Sequence, residues 1–494
     1  MKVSIINPNL IVNPIDKFTT GIVYLPILIA SISACLKKNN IDHKVIDLFG
    51  ANPSKVTKNK SFYFFGENVE KYEREILESD VIFIYANQVI NHLSVIEIKS
   101  YVRERNNKAK IFIFENTQAV TGYSLKDLRQ DFLESNNDFI LIGEAEEKII
   151  QILNFLKSNS NLININGLIG KNFSNPSREL ISDLDSLPIP DWSLIPLNNY
   201  WNLKHAHGPL SNKKYLSVLT SRGCPYPCKF CVVPETNNRR WRFKSPKKVV
   251  DEIEYYQKNY GISEFHFEDL NPTVNDIRTR EICNEIIKRN LKIIWKIVSG
   301  TKVESIKSND TVDLMAQSGC KYVSISPESG SKDVMKNIGK PFNLDHAYKI
   351  VKRMNEKKIF SQACFVLGFP DESEDDIMKT KQMIYKLTKN GVDEIAIFII
   401  TPIPGSSIFE KFKGYNSFSE LNFSPQWRKD YKYLANKRFS FYIYFLFFKS
   451  IYYPKKILLQ CINFLRLKFN TKMEMVPYKF LRINFFIILR KFLN

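Results

Sequence analysis

Between residues 215 and 400, apolar runs of strand length alternate six times with segments whose apolar residues recur at helical spacing, and this alternation constrains the fold more than any other property of the chain. Candidate strands are Tyr215 to Thr220, Glu264 to Glu268, Ile293 to Val298, Tyr322 to Ser326, Ala363 to Leu367 and Glu394 to Ile400. Segments such as 246–260 and 278–290 between them have helical patterns. Repeated strand-helix units predict parallel strands wrapped by helices. In closed or partial parallel barrels, active sites lie at the C-terminal strand ends.

Directly after the first of those strands come Cys224, Cys228 and Cys231, in the loop Ser221-Arg-Gly-Cys-Pro-Tyr-Pro-Cys-Lys-Phe-Cys231. The spacing lets three thiolates converge on one cluster face and leaves a fourth metal position without a nearby protein ligand. Structural zinc wants four closed ligands, and neither Cys nor His follows Cys231 at zinc-finger spacing. A disulfide framework belongs to small secreted domains, and this 494-residue chain begins with no charged-then-apolar leader. An iron-sulfur site is the reading that remains ahead of zinc or an inert thiol cluster. The other five of the eight cysteines, Cys35, Cys283, Cys320, Cys364 and Cys461, stand singly and fit a reducing compartment.

Cys224, Cys228 and Cys231, with the aromatic Phe230 before the third, resemble the signature of the radical S-adenosylmethionine (SAM) enzymes. The resemblance implies a partial (β/α)6 barrel, a [4Fe-4S] cluster on the three thiolates and SAM chelated to its open iron. It also implies reductive cleavage of SAM to a 5'-deoxyadenosyl radical, with a one-electron donor such as flavodoxin or ferredoxin as partner. Later strand ends resemble the family in order. Phe267-Glu268-Asp269-Leu270-Asn271 matches its acidic variant, which makes Glu268 or Asp269 a candidate for the SAM ammonium. Ser326-Pro-Glu328-Ser329-Gly-Ser matches a Gly-x-Glu-Ser-Gly-Ser segment, with Glu328 and Ser329 as candidates for SAM hydroxyls. Gly368, in Gly-Phe-Pro-Asp-Glu, and Gly405, in Pro-Ile-Pro-Gly-Ser, fall where the family brings backbone close to the cofactor. The resemblance covers residues 210 to 410.

Upstream, Lys2 to Ile6, Lys44 to Leu48, Val81 to Ala86, Lys110 to Phe114 and Phe139 to Ile142 read as buried strands separated by helices such as Leu25 to Lys38. That pattern predicts a doubly wound, Rossmann-like sheet over residues 1–160. Tyr24-Leu25-Pro26-Ile27, Val45-Ile46-Asp47-Leu48 and Gly143-Glu144-Ala145-Glu146 resemble the N-terminal cobalamin-binding domain of one radical SAM group, with Ala145 replacing a usual Gly. Leu187-Pro-Ile-Pro-Asp-Trp192, within a linker of residues 161–209, resembles the connection in those proteins. The axial-ligand motif Asp-x-His-x-x-Gly is absent, so no histidine is assigned to cobalt. His205 and His207 are candidate acid/base groups, with solvated linker residues as the plain alternative.

The chain therefore reads as an α/β protein: a Rossmann-like domain, a barrel and a helical tail over 411–494. The expected activity is cobalamin-dependent methylation of an unactivated carbon. The alternatives are radical oxidation, cyclisation or rearrangement without methyl transfer, and a non-catalytic iron-sulfur protein. The tail holds 17 Lys and Arg against three Asp and Glu, so it carries +14 of the formal +20. Its apolar runs, 439–448 and 485–489, are shorter than the roughly 20 residues a spanning helix needs. Three fates are open to it: lying on an anionic membrane beside a small-molecule or lipid-like substrate, packing across the barrel, or binding nucleic acid, the least expected. A cytoplasmic location, reaching the inner membrane surface through the tail, follows from the first.

Overall fold

Strand-forming runs and capped helices alternate through the first 400 residues of the computed structural model, which describes residues 1–59, 61–158 and 160–493. Seven strands form the first sheet: β1 (Val3–Asn7), β2 (His43–Asp47), β3 (Val81–Ala86), β4 (Lys110–Glu115), β5 (Asp138–Leu141), β6 (Leu168–Gly170) and β7 (Phe173–Ser174). Their order is β7-β6-β5-β4-β3-β1-β2. The sheet is parallel from β2 to β5, and β6 and β7 extend it antiparallel beyond residue 160. Both faces of β3 and almost all of β4 are buried, as a sheet covered on two sides requires. Helices α1 (Ile27–Lys38), α2 (His92–Arg105) and α3 (Ala145–Lys157) provide part of that cover. The strand order reverses between β1 and β3, which opens a crevice beyond their C-terminal ends.

The barrel is a second sheet of six parallel strands in sequential order: β8 (Leu216–Val218), β9 (Glu264–Phe267), β10 (Ile294–Thr301), β11 (Cys320–Glu328), β12 (Phe360–Leu367) and β13 (Glu394–Ile399). Each predicted barrel strand is present, and β10, β11 and β12 run longer than their apolar cores indicate. The helices between them are α4 (Pro246–Tyr260), α5 (Asp276–Lys288), α6 (Asn309–Gln317), α7 (Leu344–Glu356) and α8 (Glu374–Lys389). Local chemistry sets their ends. Ser245 caps α4 ahead of Pro246, Gly261 stops it at φ 64°, and Ser373 with Asp376 forms a capping box on α8.

The segment between the sheets is packed tightly. Trp192 is buried, the Tyr200 hydroxyl donates to Asp47 in the first domain (2.8 Å), and the Trp201 indole donates to the Tyr215 carbonyl at the root of β8 (2.8 Å). One apolar core consequently runs from Ile5 and Phe83 through Trp192 to Val218 and Ile297.

Residues 431–493 form α9 (Tyr431–Tyr452), α10 (Pro454–Arg466) and α11 (Lys472–Leu493). Leu434, Phe441 and Phe445 of α9 are buried where it packs on α8 and β13, and the Ile397 amide donates to the Tyr442 hydroxyl (3.0 Å). Lys479 of α11 donates to the carbonyls of Phe18 and Thr20 (2.8 and 2.7 Å), and Arg482 donates to that of Asn202 (2.9 Å). One face of the tail is thus part of the fold. Among the described residues, no helix is long and apolar enough to cross a membrane.

Candidate functional site

A single buried carboxylate holds the root of the cysteine loop. Asp269, just past β9, accepts from the Thr220 amide (3.1 Å), the Thr220 hydroxyl (2.8 Å), the Ser221 hydroxyl (2.6 Å) and the Ser221 amide. Arg278 adds a donor to the Thr220 carbonyl (2.6 Å). Asp269, read as a candidate for the SAM ammonium, has both oxygens committed to this anchor. Strands Ser221–Arg222 and Arg242–Phe243 then pair antiparallel and bracket the loop. Gly223 starts it at φ 75°, where a Cβ would lie 2.0 Å from the Arg240 carbonyl oxygen, so only glycine fits.

The motif Gly143-Glu144-Ala145-Glu146 clamps that bracket from the first domain. Glu144 pairs with Arg242 (2.7 Å) and Arg222 (3.4 Å), and Glu146 pairs with Arg222 (2.5 Å), all of them buried. Asn237, within the bracketed segment, donates to the Thr117 carbonyl (2.7 Å). The cysteine loop is therefore positioned by both domains.

Within the loop, burial pushes Cys228 up to about 11 and Cys231 and Cys224 above the usual thiol range, and each of the first two is raised further by another loop thiol. The Val233 amide donates to Cys231 Sγ (3.5 Å). Among the described residues, no group of three or more His, Cys, Asp or Glu side chains, these cysteines included, is already arranged to hold a metal ion. Three thiols in one short loop, with no fourth cysteine following at ligand spacing, are the donor set of a cuboidal iron-sulfur cluster. Phe230 sits edge-on to Phe369 (5.5 Å between ring centres), in an apolar cluster with Ile338 and Ile400.

Sequence reasoning missed Lys340. It lies far downstream, outside any hydrophobic period, and only the fold brings it to the thiols. Its ammonium donates to Glu328 (2.6 Å) and to the Ser326 carbonyl (2.8 Å). Burial opposes its charge, but Glu328 and then Cys228 and Cys224 outweigh burial and hold it protonated. A buried cation beside three thiols stabilises their ionised forms. Glu328 adopts φ 59°, a left-handed conformation that costs a non-glycine residue about 1–3 kcal/mol. Lys302 lies over the Tyr226 ring of the loop (4.9 Å).

The other sequence candidates are met by protein groups. Ser329 is within hydrogen-bonding distance of the Thr380 hydroxyl (3.1 Å) and accepts from the Ser331 amide (3.2 Å), which fixes the turn after β11. Gly368 has φ 83°, and the close approach there is made by protein: a Cβ would lie 2.5 Å from Leu434 and 3.0 Å from the Arg428 guanidinium. At Gly405, φ 93°, the neighbour is Ser124 of the first domain, 2.6 Å from a Cβ. His205 is buried and held neutral, its pKa lowered to about 3 by burial and the nearby Lys479 and Arg482.

Glu268 faces away from Asp269. Its carboxylate contacts His207 Nδ1 (2.7 Å), accepts from the Ser299 hydroxyl (3.0 Å), and lines a cavity between the domains. Tyr24 packs at a tilt against His207 (4.4 Å between ring centres) in the same wall. From the first sheet come Asn7, Asn87, Gln88, Asn116 and Gln118, around the switch point between β1 and β3, and from the barrel Leu219, Leu270 and Ser299. The enclosed space is about 60 Å³, room for a few waters.

Residues 218–384 match the Radical SAM superfamily. That stretch, similar to a radical SAM domain, contains all three cysteines. An uncharacterized methyltransferase of Pyrococcus horikoshii is 29% identical over 59% of this chain and 61% of its own length. The anaerobic magnesium-protoporphyrin IX monomethyl ester cyclase of Rubrivivax gelatinosus is 27% identical over 56% of this chain and 49% of its own. The chain thus spans about half to three-fifths of these two relatives. In overall fold it is similar to the radical SAM methyltransferase TsrM of Kitasatospora setae, solved with cobalamin and a [4Fe-4S] cluster bound, at a TM-score of 0.62 and 14% identity over 83% of this chain and 74% of that one. At 83% of this chain, the likeness in fold extends well beyond residues 218–384.

Proposed function

We propose that this chain is a radical SAM enzyme that methylates an unactivated carbon of a small-molecule or lipid-like substrate with the help of cobalamin. The observation that carries this reading is the pair Glu268-Asp269: Asp269 grips the root of the cysteine loop, while Glu268 faces a cavity built from the C-terminal strand ends of both domains. When bound, a [4Fe-4S] cluster with SAM supplies a 5'-deoxyadenosyl radical for hydrogen abstraction, and cobalamin supplies the methyl group.

This chain's residues do the holding. Cys224, Cys228 and Cys231 would hold the cluster, Lys340 would offset their negative charge, and Glu328, paired with the same lysine, would accept from SAM hydroxyls. Arg222 and Arg242, paired with Glu144 and Glu146, keep the loop registered against the first domain. Five amide side chains in the cavity wall match the amide groups that fringe a corrin ring. The electron comes from a one-electron donor such as flavodoxin or ferredoxin. A cytoplasmic location belongs to the same reading, supported by five singly placed free cysteines that fit a reducing compartment.

The cavity volume favours a second reading. At about 60 Å³, the space as it stands is too small for a corrin. Oxidation or cyclisation by the same radical, without methyl transfer, needs room for a substrate alone and not for a corrin beside it.

The deciding experiment is anaerobic reconstitution of protein from cobalamin-supplied cells, with its corrinoid content measured first. With SAM and reductant, 5'-deoxyadenosine is expected, and S-adenosylhomocysteine accumulates only if methyl transfer occurs. Bound corrinoid with both products supports methylation. Deoxyadenosine alone, from corrinoid-free protein, transfers support to oxidation or cyclisation. A cluster that never cleaves SAM sinks both readings in favour of a non-catalytic iron-sulfur protein.

A further inference from the structure

Fifteen of the 27 large apolar side chains exposed among the described residues fall within residues 433–489. On α9 they form a stripe, Phe439, Ile443, Phe447 and Ile451, spaced four residues apart on the face opposite the buried Leu434, Phe441 and Phe445. Phe439 is 68% exposed and Phe447 59%. A helix apolar on both faces is ordinarily covered on both, and the barrel covers only one. Leu458 on α10 (63%) and Phe485 on α11 (59%) continue the exposed apolar surface.

Charge identifies what covers it. Residues 431–494 contain 13 Lys and Arg and one acid, Glu474. That acid is buried, accepting from Asn463 (3.1 Å) and the Thr471 amide (3.2 Å), so the outward faces of the three helices offer no carboxylate. Lys432, Lys455, Arg466, Lys468 and Lys491 are exposed and form no ion pair among the described residues. A second copy meeting this face about a two-fold axis would set cations against cations. A nucleic acid would take the lysines at its phosphates but would leave the exposed aliphatic side chains of Ile443, Ile451 and Leu458 without a partner. An anionic lipid surface satisfies both halves of the pattern, taking the apolar stripe into its acyl boundary and the lysines at its headgroups.

We propose that α9, α10 and α11 form a peripheral docking face for anionic membrane. The proposal stands independently of the radical chemistry.

Flotation of the full chain with vesicles tests it, comparing phosphatidylglycerol mixed into phosphatidylcholine with phosphatidylcholine alone. The chain is expected to float with the anionic vesicles, and less so as salt rises. The combined Phe439→Ser, Ile443→Ser, Phe447→Ser and Ile451→Ser variant should weaken binding by about tenfold or more while leaving the thermal midpoint unchanged, since these side chains face outward. Should that variant fold poorly, Lys455→Glu with Lys468→Glu reverses charge without touching the stripe and is expected to give the same loss. Anionic vesicles left unbound by the wild type, or bound equally by the variants, would overturn the proposal. So would a stable dimer that the serine variant splits, because a second copy would then be the occupant.

Discussion

At the N-terminal strand ends of the barrel, Glu264 and Glu394 have both carboxylate oxygens met by protein donors, whereas at the C-terminal ends three buried or half-buried thiols have few. Glu264 accepts from Lys296 (2.8 Å) and the Asn212 amide (2.7 Å). Glu394 accepts from the Tyr322 hydroxyl (2.6 Å), Gln362 (3.1 Å) and the Met473 amide of the tail (2.6 Å). The opposite end holds thiols raised by burial, a lysine in excess of its one carboxylate partner, and a glutamate in a left-handed backbone conformation. One end is electrostatically complete and serves stability; the other is complete only with something added.

Substitutions at the two ends should therefore separate. The largest effect is expected at the cysteines: Cys228→Ala abolishes SAM cleavage in the reconstitution assay, yet moves the thermal midpoint of the cluster-free protein by no more than about 2 °C. A comparable fall in midpoint would show that the upper end carries the fold as well. Lys296→Met reverses the pattern. It strips a buried carboxylate of its cation and should cost roughly 3 kcal/mol in denaturant unfolding. Glu264 is held down at about 2: burial opposes its charge, but Lys296 and His266 outweigh it. Its depressed pKa stabilises the fold above the ordinary value of 4.5, and this contribution is lost as pH falls from there toward 2. The variant should accordingly unfold with a flatter acid-side pH profile, and an unchanged profile would remove Glu264 from the account.

Lys340→Met is intermediate. With the cation gone from beside the thiols, iron retained after desalting and SAM cleavage should both fall, roughly tenfold for cleavage. Wild-type cleavage in this variant would leave Lys340 with a purely structural role. Gly405→Ala is the smallest change: its φ of 93° and the Ser124 contact predict a loss of about 1–2 kcal/mol, read by thermal unfolding, at the joint between the domains.

What could be read from residue order alone follows the range of the forces involved. The barrel strands and the cysteine loop announce themselves because hydrophobic period and ligand spacing are local. Strands β6 and β7 escaped notice because each is only two or three residues long. Lys340 escaped because a single cation has no period and its partners lie on another strand. Gly368 and Gly405 were recognised as positions needing close approach, but what approaches is Arg428 in one case and Ser124 in the other, and no local pattern distinguishes a protein neighbour from a ligand. Glu144 and Glu146 stood out through family resemblance, and their pairing with Arg222 and Arg242 supplies the physical reason.

The Asp269 anchor also imposes an order of events. The loop's root at Thr220 and Ser221 is tied to a residue that the chain reaches only after α4 and β9, so the three thiols gain their fixed places once that first strand-helix-strand unit has closed. Metal capture is then expected to follow closure of that unit. During refolding with iron and sulfide present, visible absorption from the cluster should rise after the far-ultraviolet circular dichroism signal has recovered; simultaneous recovery would mean that the loop organises its own thiols.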